Sequence, residues 1–257
     1  MKYFRLVSSL SLFPNRSLSG RKWHIKDASA KNLTEFVRDK KINDAMPERS
    51  VPLAPPDLFP AIARACERTK QAFARKETIG IFGDYDCDGV SGTAILFRLC
   101  SAHGTKPFVR LPHREHEGYG LSLAHVEEIK QAGVTLLLTV DTGITAVAPI
   151  AAAKAAGIDT IVLDHHSVPQ ELPDAFAILH PALAPSYPLP HPCGAGVALS
   201  FREAVEGGSW NDMDEDIALA AIATVADLVP LHGGNRALVK RGLQILQEIN
   251  AGPLALL

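Results

Sequence analysis

The fold class predicted is an open parallel α/β sheet flanked by helices, and two observations carry it. Short β-rich runs are apolar at nearly every position, as strands buried on both faces are, and they alternate with Ala-rich helical stretches. That alternation implies βαβ crossovers, which are right-handed. In chain order, residues 1–55 form a basic, irregular N-terminal segment, with a possible helix at Lys31–Lys41 and a Pro-rich linker, VPLAPPDLFP. Residues 56–257 are expected to form the α/β domain. Its first element is a helix over Ala61–Lys76. The strands are TIGIFG from Thr78, PFVRLP from Pro107, TLLLTV from Thr135, DTIVLD from Asp159 and FAILHP from Phe176. Helices are predicted over Val90–Ala102, Ser122–Gln131, Thr145–Ala156 and Ala195–Val205. A helical C-terminal segment, Asp214 to Ile249, is broken at LHGGN.

Composition narrows the function classes. With 47% hydrophobic and 21% charged residues, the 257-residue chain has the makeup of a globular protein with a sizeable core. A net charge of -2 gives no global basic footprint, so a nucleic-acid partner has to be held by a local groove or by metals. The four cysteines, Cys66, Cys87, Cys100 and Cys193, form no CxxC pair and read as free thiols in a reducing compartment. Cys87 is expected as a small side chain tucked under its loop. Met1 to Lys26 contains no acidic residue, which resembles a transit peptide, but a poorly ordered basic N-terminus is preferred. No apolar run approaches the roughly 20 residues that span a bilayer. A cytoplasmic protein with no membrane partner is expected.

The chemistry lies at strand ends, where open α/β sheets bind their ligands. TIGIFG runs into Asp84, Asp86 and Asp88 in GDYDCDGVSG, TLLLTV ends at Asp141 in VDTGI, and DTIVLD ends at Asp164, His165 and His166. Carboxylates delivered together to one edge repel one another unless a cation neutralises them. Singly, each motif has a plainer reading. A DxDxD loop can bind calcium, but the twelfth residue from Asp84 is Ile95, not the required Glu. Asp-Thr-Gly also occurs in aspartic proteases, whose all-β architecture does not fit here. Asp-His-His can be a buried histidine pair. The CGAGV segment from Cys193 precedes a helix, so the amides of Gly194, Ala195 and Gly196 are candidates to cradle a phosphate, a tight glycine turn being the alternative.

Together and in this order, these motifs resemble the DHH phosphoesterase superfamily. GDYDCDGVSGTA, EGYGL after Arg114, CGAGVA, ATVADLVPL from Ala223 and NRALVKRGL from Asn235 are similar to its RecJ branch, from about Pro56 to the C-terminus. Other branches begin with His-x-Asn-Pro-Asp-x-Asp. Here the His position is Phe82 and Asn-Pro becomes Asp84-Tyr85, which favours the RecJ branch.

The resemblance implies a site. Asp86 holds a first metal ion, Asp88 a second, Asp141 bridges them, His165 ligates the second, and Asp227 completes the cluster. Asp84 stands behind the ligands as a partner to the catalytic water, and Asp164 orients His165. His166 and Arg114 are candidates to grip the phosphate, a solvated loop arginine being the alternative for Arg114. His113, His116, His180 and His191 are expected on the surface or in loops. The oxygen–nitrogen donor set suits two Mn²⁺ or Mg²⁺ ions, and the family points to manganese. The implied activity is 5'-to-3' exonucleolytic hydrolysis of single-stranded DNA by a metal-activated hydroxide, serving DNA repair and recombination. Alternatives are a phosphoesterase of short oligonucleotides or small molecules, or an inactive scaffold. Proteins of the RecJ branch continue into a DHHA1-like second domain and an OB-like barrel. Neither is expected within these residues, making the chain a fragment or a short natural form.

Overall fold

The computed structural model describes residues 54–208, 213–249 and 254. The N-terminal segment and its Lys31–Lys41 helix lie outside these. Among the described residues, seven α-helices flank one five-stranded sheet. The strands are β1 (Ile79–Gly83), β2 (Phe108–Arg110), β3 (Leu136–Val140), β4 (Asp159–Leu163) and β5 (Ala177–Leu179). The helices are α1 (Ile62–Arg75), α2 (Cys87–Ala102), α3 (Leu123–Gln131), α4 (Val147–Ala155), α5 (Gly194–Glu206), α6 (Asp214–Ala226) and α7 (Gly233–Glu248). Every strand pair is parallel, in the order β2-β1-β3-β4-β5.

The pleat explains the continuous apolar runs. Ile79 and Ile81 of β1, Leu136, Leu138 and Val140 of β3, and Ile161 and Leu163 of β4 pack into the core shared with α1, α2, α5, α6 and α7. Phe82, Leu137 and Val162, one step out of phase, pack on the other face with Val126 and Ile129 of α3 and Ile150 and Ala153 of α4. Alternate residues face opposite layers, and both layers are covered. Leu136, Leu137 and Leu138 are fully buried, each stabilising the fold by about 1.5–3 kcal/mol relative to exposure. α1 buries Ile62, Ala65, Cys66, Thr69 and Ala72, a single stripe at helical spacing.

α2, between β1 and β2, packs on one face, whereas α3 and α4 pack on the other. The chain therefore turns away in opposite directions after β1 and after β3, which are paired neighbours. This is the topological switch point at which such sheets open a crevice. The carboxyl ends of β1, β3 and β4 bracket it with Asp84, Asp141 and Asp164.

The boundaries differ from expectation where capping decides them. α2 starts three residues early because the Asp86 carboxylate caps it, accepting the amides of Asp88 (2.9 Å) and Gly89 (3.0 Å). β2 is only three residues long, at the sheet edge. The C-terminal segment breaks at 227–232, and Gly233 of the LHGGN turn already begins α7. An ionic cluster around the buried Asp216 ties three helices: Asp216 of α6 meets Arg98 of α2 (2.7 Å) and Arg202 of α5 (2.6 Å). No helix among the described residues is long and apolar enough to cross a membrane.

Candidate metal centre

The site grows from three strand ends and one helix end. After β1 the chain turns sharply, and Gly89 permits it: a Cβ there would stand 2.4 Å from the Asp84 carbonyl oxygen. Asp84 is buried, and one of its carboxylate oxygens has no hydrogen-bond partner among the described residues. Burial first, then the charge of Asp86, pushes its carboxyl above the usual range. Asp141, at the end of β3, adopts a left-handed backbone (φ 60°), an uncommon conformation for a non-glycine residue. Burial together with Asp88 and Asp86 pushes the Asp141 carboxyl up to about 10. Asp227, just after α6, is raised by burial and by Asp88 and Asp86, against the opposing pull of His165.

His165 leaves β4 with Nε2 aimed into the carboxylates, 3.1 Å from Asp141, 3.5 Å from Asp88 and 3.8 Å from Asp227. Three groups of potential ligand atoms therefore stand together: Asp84, Asp86 and Asp141; Asp88, His165 and Asp227; and Asp141, His165 and His166, the atoms within each lying within 4.8 Å of one another. Asp141 belongs to the first and the third, and its carboxylate lies 3.1 Å from His165 of the second. Asp84 stands among the possible ligands rather than behind them. An unpartnered buried oxygen on Asp84 and a carboxyl at Asp141 held far from its ordinary ionisation are what a divalent cation would satisfy, and the oxygen and imidazole donors fit a hard or borderline one.

Three expectations are corrected. The amides of Gly194 and Ala195 do not face a phosphate: they donate to the two oxygens of Asp88, at 2.6 and 2.7 Å. Gly194, Ala195 and Gly196 are all buried, so the α5 N-terminus serves as the seat of Asp88. Asp164 does not orient the His165 ring. Its Oδ1 accepts the backbone amides of His165 (2.7 Å) and His166 (3.1 Å) and the His166 Nδ1 proton (2.7 Å), while Oδ2 accepts the Ile144 amide (2.9 Å). Burial works to raise the Asp164 carboxyl, but the bonds from the His166 ring and the Ile144 amide outweigh it and hold it low. The same pair raises His166, whose hydrogen bond to Asp164 favours the imidazolium. Finally, Cys87 is exposed rather than tucked under its loop.

The second histidine is thus a different instrument from the first. Its Nδ1 is committed to Asp164, and its ring is tilted 55° from that of His165. Tyr119 of the EGYGL stretch joins it: the hydroxyl donates to the Asp141 carbonyl (3.3 Å) and lies 3.2 Å from His166 Nδ1. Burial pushes this hydroxyl far up, keeping it a neutral donor. The sequence singled out EGYGL but not Tyr119, although an aromatic between two glycines was the available signal. Arg114 lies with its guanidinium over the Tyr85 ring, 4.7 Å from the centroid. Phe82, at the relatives' His position, is fully buried and packs on His125, ring centroids 4.9 Å apart, in the core under α3. His180 lies in the loop after β5, as expected, and is buried there. Asn235 of α7 donates to the His191 carbonyl (2.9 Å), fastening the loop that leads into α5.

The fold and site define a doubly wound α/β protein whose switch-point crevice gathers five carboxylates and two histidines. The chain belongs to the DHH family: residues 78–225 match the model of its N-terminal domain. It is 42% identical over 187 residues, 72% of this chain and 23% of the relative, to the single-stranded-DNA-specific exonuclease RecJ of Bacillus subtilis. Among solved structures, it resembles RecJ of Thermus thermophilus in complex with Mn²⁺ (TM-score 0.69, 34% identity, 80% of this chain and 30% of that one). The complex of the Thermus thermophilus protein with Mg²⁺ matches with a TM-score of 0.56 at 30% identity, covering 83% and 27%. The chain spans about a quarter of the Bacillus subtilis protein and less than two fifths of the other curated relatives it matches.

Proposed function

We propose that this domain hydrolyses phosphodiester bonds as the catalytic core of a RecJ-type exonuclease, cutting single-stranded DNA from the 5' end with two Mn²⁺ or Mg²⁺ ions. The observation that carries the reading is the meeting of Asp84, Asp86, Asp88, Asp141, His165 and Asp227 in two adjoining ligand groups, Asp141 of the first lying 3.1 Å from His165 of the second. The relatives named as single-stranded-DNA exonucleases, and the RecJ structures with manganese and magnesium, support it. Asp84, Asp86 and Asp141 would hold one ion, and Asp88, His165, Asp227 and Asp141 the other. When bound, such a pair supplies Lewis-acid activation of water and neutralises charge on the phosphoryl oxygens.

The protein's own groups do the rest. Asp88, fixed by two α5 amides, cannot swing out of the cluster. Asp164 keeps the His166 ring oriented and inclined to hold its proton, so that this imidazolium can donate to a phosphate oxygen. Tyr119 offers a neutral hydroxyl beside it. Arg114, braced on Tyr85, supplies a guanidinium for the neighbouring phosphate. Four free cysteines, three of them buried, suit a reducing compartment; the cytoplasm and a place in DNA repair and recombination belong to the same proposal.

The test uses chelator-stripped protein with Mn²⁺ added back and a phosphodiester substrate. Activity should return with metal. Asp141→Ala should lose more than about a hundredfold, since even outer partners of metal ligands cost 10–100-fold. Undiminished turnover by that variant would rule out a shared bridge.

A further inference from the structure

His180 lies behind the centre and touches none of the clustered carboxylates. It follows β5 and is 1% exposed. Its Nδ1 accepts the Ala182 amide at 3.1 Å, capping the short turn Pro181–Leu183. A ring nitrogen that accepts an N–H bond carries no proton, so in the neutral ring the proton sits on Nε2. That Nε2 lies 2.7 Å from the His166 carbonyl oxygen and donates to it. Burial favours the uncharged ring, which preserves this arrangement.

Asp164 Oδ1 holds the amide side of the His165-His166 dipeptide and takes the His166 Nδ1 proton. Those bonds leave rotation of the His166 carbonyl open. The bond to the carbonyl closes that freedom from the adjacent strand β5, which pairs with β4. We infer that His180 is a positioning residue, which locks the His166 peptide so that the imidazole meets the phosphate in a single orientation. This deepens the function proposed above and rests on it.

Two substitutions separate this role from simple capping. In His180→Gln the side-chain amide nitrogen reaches the place of Nε2 and keeps the donor to His166, while the cap is given up. In His180→Asn the amide oxygen takes the place of Nδ1 and keeps the cap, but the donor no longer reaches. Steady-state kinetics on a chromogenic phosphodiester with Mn²⁺, with manganese content and thermal midpoint, give the readout. Both variants should bind wild-type manganese. His180→Gln should keep kcat within about threefold, whereas His180→Asn should lose roughly tenfold or more in kcat at unchanged KM, the scale of outer-partner losses. Equal kcat in the two, the reverse order, or losses that track the thermal midpoint would overturn the assignment. Imidazole ¹⁵N NMR of the wild-type protein tests it without turnover: His180 should show a protonated Nε2 and a bare Nδ1, and the opposite tautomer would overturn it. A wild type that hydrolyses nothing with manganese would count against the proposed function, while the NMR result still decides the hydrogen bond.

Discussion

Two consecutive imidazoles leave β4 into different worlds. His165 points Nε2 at three carboxylates, where a cation would use its lone pair. His166 has its Nδ1 bonded to Asp164 with the Tyr119 hydroxyl beside it, and its ring is partly open to solvent. The expected outcome is a division of labour. His165→Ala should lose manganese, read by elemental analysis after gel filtration. His166→Ala should keep its manganese and lose about 10²-fold or more in kcat, the usual scale for a proton-donating group. Equal metal loss in both variants would contradict it. At this scale the sequence was legible where a side chain sits within a few residues of a strand end, as Asp86, Asp88, Asp141 and His165 do. Tyr119 was not, since it reaches His166 from 47 residues away; His180 does follow a strand, but its bond to His166 depends on β5 pairing with β4, which nothing local announces.

Elements act here by their ends. α2 is capped by Asp86 and α5 by Asp88, a carboxylate from outside the helix, so the two residues that flank Cys87 fix two helix N-termini against the switch point. From sequence, CGAGV predicts either a helix N-terminus that cradles an anion or a tight glycine turn. The anion is real, but it is Asp88, 106 residues upstream, and no local pattern announces a pairing so distant. Gly194 is the tightest point of this joint. A Cβ there would stand 2.7 Å from the Asp141 Cβ and 2.9 Å from its Cα, atoms that cannot swing aside. Gly194→Ala should therefore push α5 away from both Asp88 and Asp141. The expected cost is about 1–3 kcal/mol in stability, typical of overpacking, with manganese affinity reduced at least tenfold, by the standard of lost outer-shell support. Denaturant melts and a manganese titration measure the two effects, and an alanine variant with wild-type affinity would show that the joint is slack.

For the molecule as a whole, the parallel sheet was readable because β1, β3 and β4 are buried on both faces, which turns their runs continuously apolar. The strand order was not, since nothing local to β2 says that it lies outside β1. That order creates the crevice and also fills it with negative charge. Two divalent ions are outnumbered in charge by the five carboxylates that would surround them, and the chain carries 26 Lys and Arg against 28 Asp and Glu. Affinity for a long polyanion comes mainly from clustered cations that release counterions, with a steep salt dependence. Among the described residues, Arg114 is the guanidinium set beside the crevice, over Tyr85. The resulting expectation is that, with manganese at low salt, they cleave a dinucleotide or a chromogenic phosphodiester at least as fast as each terminal bond of a long single strand. Affinity for that strand should be weak and only slightly weakened by added salt. Slack in holding a strand end costs on the order of a hundredfold per ångström, which widens the gap further. Parallel rate measurements on the two substrates, with a salt titration of binding to a long oligonucleotide, test this. Rapid, processive digestion of the long strand by these residues alone would show that the crevice grips DNA by a route its charge does not reveal.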